Sequence, residues 1–370
     1  MPTEFFPSRT ISLYLSRLFI GRIVSVLLML VMVLQLLDLL SESGRILAHP
    51  GNGEPQIWTY VSLRVPQLVA RFLPYSVLLA TLFTFFPLNQ NSEVIAMRAA
   101  GLSAHQILAP MMATAMAVSA LSFMFNESIV ARSNATLKAW QGVEYGEIPR
   151  ESGTRSNIYV TDRDSGSNGI LYAQTLTGSG SAMRMANVTW YDRDGQGVVI
   201  RQYRSDHASF AAPGWRLESP RRFDVATTTT TQPTTPVVVG RGITPAQIDL
   251  STVNPDGENI IALARTILAQ RASGHRTSEL EGKWWHKMSG PLSAVLMPLL
   301  GAVAAFGLAR SGQLLLRAVT GMALGFTYFV VDNAALAFGN FGAYPPIIAA
   351  WAPFFLFLAI GETVLIRTEE

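Results

Sequence analysis

The sequence predicts an α-helical membrane protein with six transmembrane helices in two sets of three, separated by an extracytoplasmic, all-β, jelly-roll-like domain. Three observations predict it. The 370 residues are 49% hydrophobic and 14% charged, with mean hydropathy +0.28, whereas soluble domains carry about 25% charge. Six apolar runs, 23–40, 72–88, 107–125, 292–309, 318–338 and 347–366, meet or approach the roughly 20 residues that cross a bilayer. Residues 150–245, between the third and fourth runs, are instead polar, glycine-rich and strand-like.

The first run, "IVSVLLMLVMVLQLLDLL", has Gln35 and Asp38 as its main polar interruptions. It is too long for a signal peptide, has no small-residue cleavage pattern, and reads as a retained anchor. The second run extends a helix that starts near Ile57, since "IWTYVSLRVPQLVARF" keeps helical periodicity despite Pro66. In the central block, "NIYVT", "GILYAQTL", "NVTWYD" and "GVVIRQY" are β-branched and aromatic, with "DRDG" and "APGW" as turns between strands. The threonines at 227–231 are read as a loop in preference to an edge strand. After Pro255, "ENIIALARTILAQRA" is an amphipathic connector leading to "KWWHKM" at 283–288, where tryptophans flanked by lysines mark a membrane boundary. The predicted division is a first membrane half (1–131), a β domain (132–255), a connector (256–282) and a second membrane half (283–370).

Three crossings before the β domain put it opposite the N-terminus. Arg9, Arg17, Arg22, Arg98, Arg310, Arg317 and Arg367 then face the cytoplasm, against Arg45, Lys283 and Lys287 outside, in keeping with the positive-inside tendency.

Several function classes fall away. With no cysteine there is no disulfide, thiolate metal site or cysteine nucleophile. The five histidines have no metal-ligand spacing, and no Ser/His/Asp set is localised enough for hydrolysis. Basic residues are scattered and the formal charge is only +3, which disfavours nucleic acid. The Gly282–Lys283 pair precedes Trp284, so no phosphate-binding loop is present, and any ATP chemistry must come from another chain.

The stretch "NQNSEVIAMRAAGLSAHQIL" (89–108) is unusual for a link between two spans. Asn91 or Ser92 can cap a short helix over 91–101, with Glu93 in the first turn and Gly101 as its stop. Ser103 with Gln106 forms an S-x-x-Q capping box for the third span. So short a helix is marginal alone and must pack on the bilayer surface, on its own helix ends or on a partner. Arg64 and Arg71, seven apart, share a helix face in the second span, where intramembrane cations are costly. They suit lipid phosphates, snorkelling to the interface, or pairing with Asp38 or Asp332. Asp38 and Asp332 are read as structural polar groups within the membrane. Gly290, Ala294, Gly301 and Ala305 permit close helix contact in the fourth span.

The order of parts resembles the LptF/LptG permease family of the lipopolysaccharide export system. "SEVIAMRAAGLS" (92–103) is similar to that family's coupling-helix segment, "FNESIVA" (125–131) to the end of its third span, and "GWRLES" (214–219) to a strand of its periplasmic domain. "VTGMALGFTYFVVDNAALAFGNFGAYPPIIAAWAP" (319–353) is nearest to the LptG type. The resemblance implies a non-enzymatic subunit of an ABC-type exporter in the bacterial inner membrane, with both termini cytoplasmic. Its implied partners are a homologous permease forming a heterodimer, a dimeric cytoplasmic ATPase that holds ATP and Mg, a periplasmic lipid-transfer protein and a single-span regulatory subunit. Lipopolysaccharide is the implied cargo, and no cofactor or metal is expected in this chain. Glu93, Arg98, Gly101 and Ser103 would couple to the ATPase. Lys138 resembles a basic position that approaches the lipid. Where family members often carry lysines at the outer end of the first span, this chain has Arg45 as the nearest base: either Arg45, Arg64 and Arg71 take that role, or the lipid of this member has a different charge pattern. An importer permease, another lipid exporter, or a non-transporting anchor for the β domain are the competing readings.

Overall fold

The computed structural model describes residues 6–148, 155–162, 169–178, 180–233, 235–245, 248, 254–272, 276–306 and 314–369. It divides into two compact units, one of residues 1–40, 64–133 and 255–370, the other of residues 41–63 and 134–254.

Among the described residues the α-helices are α1 (Arg9–Ala48), α2 (Glu54–Gln90), α3 (Glu93–Ala99), α4 (Ala104–Phe125), α5 (Ala131–Gly142), α6 (Ile260–Ala272), α7 (Ser278–Phe306), α8 (Leu314–Asn340) and α9 (Pro346–Glu369). A π-helical turn, Asn126–Val130, joins α4 to α5. Among the described residues five helical segments are long and apolar enough to cross a membrane: α1, α2, α4 with its continuation to Gly142, α8 and α9. The predicted run 292–309 lies in α7 as far as Phe306, and its last three residues are outside the described ones. The protein is therefore a multi-pass helical membrane protein with a β domain between its helix sets.

The helices outrun their apolar stretches. α1 has 40 residues around a predicted run of 18, because the backbone hydrogen-bond ladder continues past the point where side chains turn polar. Pro66, Pro74 and Pro87 all lie within α2. Each removes one N–H, and at Pro87 the carbonyl left without its helical donor is that of Phe83. The guanidinium of Arg22 donates to that oxygen from α1. The core of this unit gathers Leu15, Phe19 and Ile23 of α1 with Val77 and Leu78 of α2, Ile107 and Met111 of α4, and Leu299 and Leu300 of α7. Gly301 makes the contact with α2 close: a Cβ there would lie 2.6 Å from Cγ2 of Thr81.

Among the described residues the β unit holds one eight-stranded antiparallel sheet in which β1 (Arg155–Thr161), β2 (Ile170–Thr177), β3 (Arg184–Arg193), β4 (Val199–Ala211), β5 (Gly214–Glu218) and β8 (Val237–Val239) follow one another. The 13-residue β4 pairs β3 along one edge and serves two partners along the other. Its first part pairs β6 (Arg221–Asp224), and its last part pairs β5. One set of alternate side chains, including Ile158, Leu171, Val188, Trp190, Ala208, Trp215 and Leu217, forms the core, as the period-two pattern requires. The threonine loop is corrected: Thr229–Thr231 is strand β7, paired with Asp224, Phe223 and Arg222 of β6. Asp224 accepts from the amides of Ala226 and Thr227, which makes the turn that lets the polar threonines lie at the sheet edge. Residues 41–63, the adjoining ends of α1 and α2, cluster with this unit, where Asn52 donates to the carbonyls of Ile46 and Tyr145.

Candidate coupling helix and polar groups of the spans

α3 is shorter than the predicted 91–101, running over seven residues. Ser92 is its N-cap but takes a left-handed conformation, φ 60°, and its side chain caps nothing, contrary to the predicted Asn or Ser cap. The backbone does the work instead: the Ser92 carbonyl accepts from Ala96 N–H at 2.9 Å. Glu93 is in the first turn as predicted, where an acid is favoured. Its carboxylate accepts from the Tyr14 hydroxyl of α1 at 3.2 Å.

At the other end Gly101 has φ +89°, the left-handed torsion that glycine adopts without a Cβ penalty. Gly101 N–H bonds the Arg98 carbonyl at 3.0 Å and Leu102 N–H the Met97 carbonyl at 3.2 Å. That pair of bonds is a Schellman stop. Met97 and Leu102 both pack against the helical core, its usual apolar companion. The predicted capping box is present: Ser103 Oγ accepts from Gln106 N–H at 3.1 Å, and Gln106 Oε1 accepts from Ser103 N–H at 3.0 Å. Only Ala100, Gly101, Leu102 and Ser103 separate α3 from α4.

Side-chain allocation gives α3 two faces. Val94 is buried among the core helices and Met97 packs on them. Ile95, at 65% exposure, and Arg98 face outward. In the first turn of α4, His105 Nε2 sits 3.2 Å from Glu362 of α9, a link from the start of the third span to the last helix.

The polar groups of the spans fall into distinct pairs. Arg64 holds Asp38 in a two-pronged bond, Nε to Oδ2 at 3.0 Å and Nη2 to Oδ1 at 2.9 Å, and reaches Gln67 with Nη1 at 3.0 Å. Such a planar fork is the strongest geometry available to a guanidinium and carboxylate. Arg71, seven residues on, is exposed and makes no ion pair among the described residues. Asp332 is buried, 4.0 Å from His286 Nε2. Lys138 donates to Asn254 Oδ1 at 2.6 Å. Arg45 is exposed, paired with Glu42 at 3.2 Å, and lies 5.9 Å from the Tyr145 ring centre. Burial, with the Glu42 carboxylate as acceptor, pushes the Tyr145 hydroxyl up to about 12, so it remains a neutral donor.

Two clusters escaped the sequence reading. Tyr14 has no feature that would nominate it as the partner of an acid 79 positions away. Glu127, in the π-turn, pairs with Lys287 at 3.3 Å, both largely buried, and also accepts from the Ile260 amide that opens α6. The asparagine–glutamate pair of "FNESIVA" was the only local signal, and π-turns concentrate at functional positions.

The description "lipopolysaccharide export system permease LptF/LptG" belongs to the family model that matches residues 13–367. Lipopolysaccharide export system permease protein LptG of Escherichia coli K12 is 24% identical over 312 residues, 83% of this chain and 84% of that protein. Its Haemophilus influenzae counterpart is 22% identical over 376 residues, covering 98% of this chain and 99% of that protein.

Proposed function

Because the chain belongs to the LptF/LptG family of lipopolysaccharide export system permeases, we propose that it is the LptG-type half of an inner-membrane exporter that lifts lipopolysaccharide out of the bilayer. It is a transporter subunit and not an enzyme. Both termini and α3 face the cytoplasm, and the β domain faces the periplasm. The ATP and Mg belong to a dimeric cytoplasmic ATPase. A homologous permease completes the membrane core, and a periplasmic bridge protein receives the lipid, with β1, β7 and β8, each paired on one side among the described residues, as candidate edges.

The observation that carries this reading is the two-faced α3. One side is fixed to α1 and the helical core through Val94 and the Glu93–Tyr14 bond, while Ile95 and Arg98 are presented outward. A helix of two turns has little stability of its own. Held between a Schellman stop and the membrane helices, it presents a rigid apolar and cationic surface to a soluble motor. Glu93 acts by keeping α3 in register with α1, and Gly101 and Ser103 act by fixing the angle to α4. Arg71 is the cation best placed for a lipid phosphate, because Arg64 would first have to release Asp38. Arg45 and Lys138 remain secondary candidates.

The test is a Glu93→Ala variant purified from membranes with the ATPase scored alongside. The expected result is normal insertion with loss of lipopolysaccharide release and of lipid-stimulated ATP hydrolysis. Unchanged release and unchanged ATPase recovery would remove the coupling role. A purified chain that brings an ATPase but never a glycolipid would instead place it in an importer, and one that brings neither would make it an anchor.

A further inference from the structure

The second to fifth turns of α1 carry an open cleft of about 440 Å³ lined by Tyr14, Arg17, Leu18, Gly21, Arg22 and Ser25. Tyr14, Leu18, Gly21 and Ser25 advance by three or four residues at a time, and Arg17 and Arg22 flank them on either side, so the six share one broad face of the helix. We infer that this cleft binds the phosphodiester headgroup of an anionic membrane phospholipid.

The two guanidiniums are differently prepared. Arg22 is held by its bond to the Phe83 carbonyl, the acceptor that Pro87 leaves without a helical donor. A guanidinium has five N–H groups, so anchoring one leaves others to face the cleft. Arg17 is exposed and makes no hydrogen bond or ion pair among the described residues. An anchored cation and an unspent one, five residues apart at the two edges of this face, suit an anion between them that both can approach. The space over Gly21, which lies between them, is open: a Cβ there would meet nothing within 4 Å. The neighbouring acid, Glu93, is occupied by Tyr14 at the rim. Ser25 adds to the lining a hydroxyl whose own proton goes to the Gly21 carbonyl at 2.8 Å.

A free phosphate offers the same anion. The lipid is favoured by the apolar surface that continues beyond this face. Ile20, Val24, Leu28 and Met29 are all exposed on α1, and acyl chains would cover them directly beside the headgroup. The cleft and this surface meet at the place where a polar helix end enters hydrocarbon, which is where phosphates lie. The inference does not depend on the coupling role of α3 or on the identity of the transported lipid.

The full chain, purified in detergent with whatever subunits accompany it, should be titrated with dioleoyl phosphatidylglycerol, dioleoyl phosphatidylcholine and inorganic phosphate, with bound lipid counted by native mass spectrometry. The expected result is preferential retention of phosphatidylglycerol, weakened roughly tenfold by Arg17→Gln, the loss of one charge-assisted contact. Arg17→Lys should retain most of the binding. Arg367→Gln, which removes an exposed cation at the end of another helix, should leave it unchanged. Equal occupancy by the two lipids, an unaltered Arg17→Gln variant, or an equal loss in Arg367→Gln would overturn the site. Displacement of phosphatidylglycerol by equimolar inorganic phosphate would overturn the lipid assignment and give the cleft to free phosphate.

Discussion

The helical unit and the β unit solve opposite problems with the same amino acids. On α1, Leu28, Met29, Leu36, Leu37 and Leu40 are all more than half exposed, while Ser76, Thr81 and Thr84 of α2 are fully buried. The buried hydroxyls cost little because each donates to a carbonyl one turn back, Thr81 to Val77 at 2.8 Å and Thr84 to Ala80 at 2.6 Å. In the β unit the arrangement is reversed: Leu171, Leu176 and Trp215 are inside, and Arg184, Arg204 and Asp206 outside. Exposure therefore means contact with hydrocarbon in one unit and with water in the other.

The largest effect should come from the water-facing unit's core. Trp215 is fully buried and its indole N–H bonds the Ile243 carbonyl at 2.9 Å. Trp215→Ala should destabilise the β unit by about 3–5 kcal/mol, read as an earlier fluorescence transition in denaturant with the helical unit still folded. Loss of both units together would show that they do not melt separately.

The most direct attack on the comparison substitutes one charge at two equally exposed sites. Leu36→Arg should cost about 3 kcal/mol in membrane insertion, whereas Val198→Arg in the β unit should stay within about 0.5 kcal/mol. Equal insertion and stability for both would mean that α1 does not face lipid.

Within the membrane unit, Asp38→Asn should cost about 2 kcal/mol by stranding the Arg64 guanidinium, less than for a fully buried pair because both groups are about a quarter exposed. Recovery of thermal stability in an Asp38→Asn, Arg64→Gln double variant would attribute the cost to the unpaired charge. No change in the single variant would disprove a structural pair.

The smallest effects should be the same in both units. Ser103→Ala removes a helix cap and Asp194→Ala removes the carboxylate that accepts from Gln196 and Val198 at 2.9 Å in a β-turn. Each should cost about 1 kcal/mol. A clear inequality in thermal melts would mean that solvent reaches even these local bonds differently.

Local chemistry was legible in the sequence. Five of the six apolar runs fall in helices fit to span a membrane, Ser103 and Gln106 gave the capping box, Gly101 gave a helix stop, and the strand-like runs gave β1 to β4, half of the described strands. What escaped depends on partners far along the chain. Tyr14 with Glu93, Glu127 with Lys287, and Arg22 with the Phe83 carbonyl have no periodicity to betray them. The start of the short helix is hidden for a related reason: Ser92 is a good cap by residue type, but its left-handed torsion turns the hydroxyl away from the amides. The polar strand β7 is hidden because an edge strand held by backbone pairing needs no apolar alternation.

The four residues between α3 and α4 have one further consequence. Gly101 and Leu102 are already tied back to α3, and Ser103 is tied forward to α4. Two arms joined without slack behave as a crank: tilting the short arm must swing the long one instead of stretching the joint. Inserting even one flexible residue at Leu102 would turn that crank into a tether, and force applied to the short arm would be spent before it reached the bilayer.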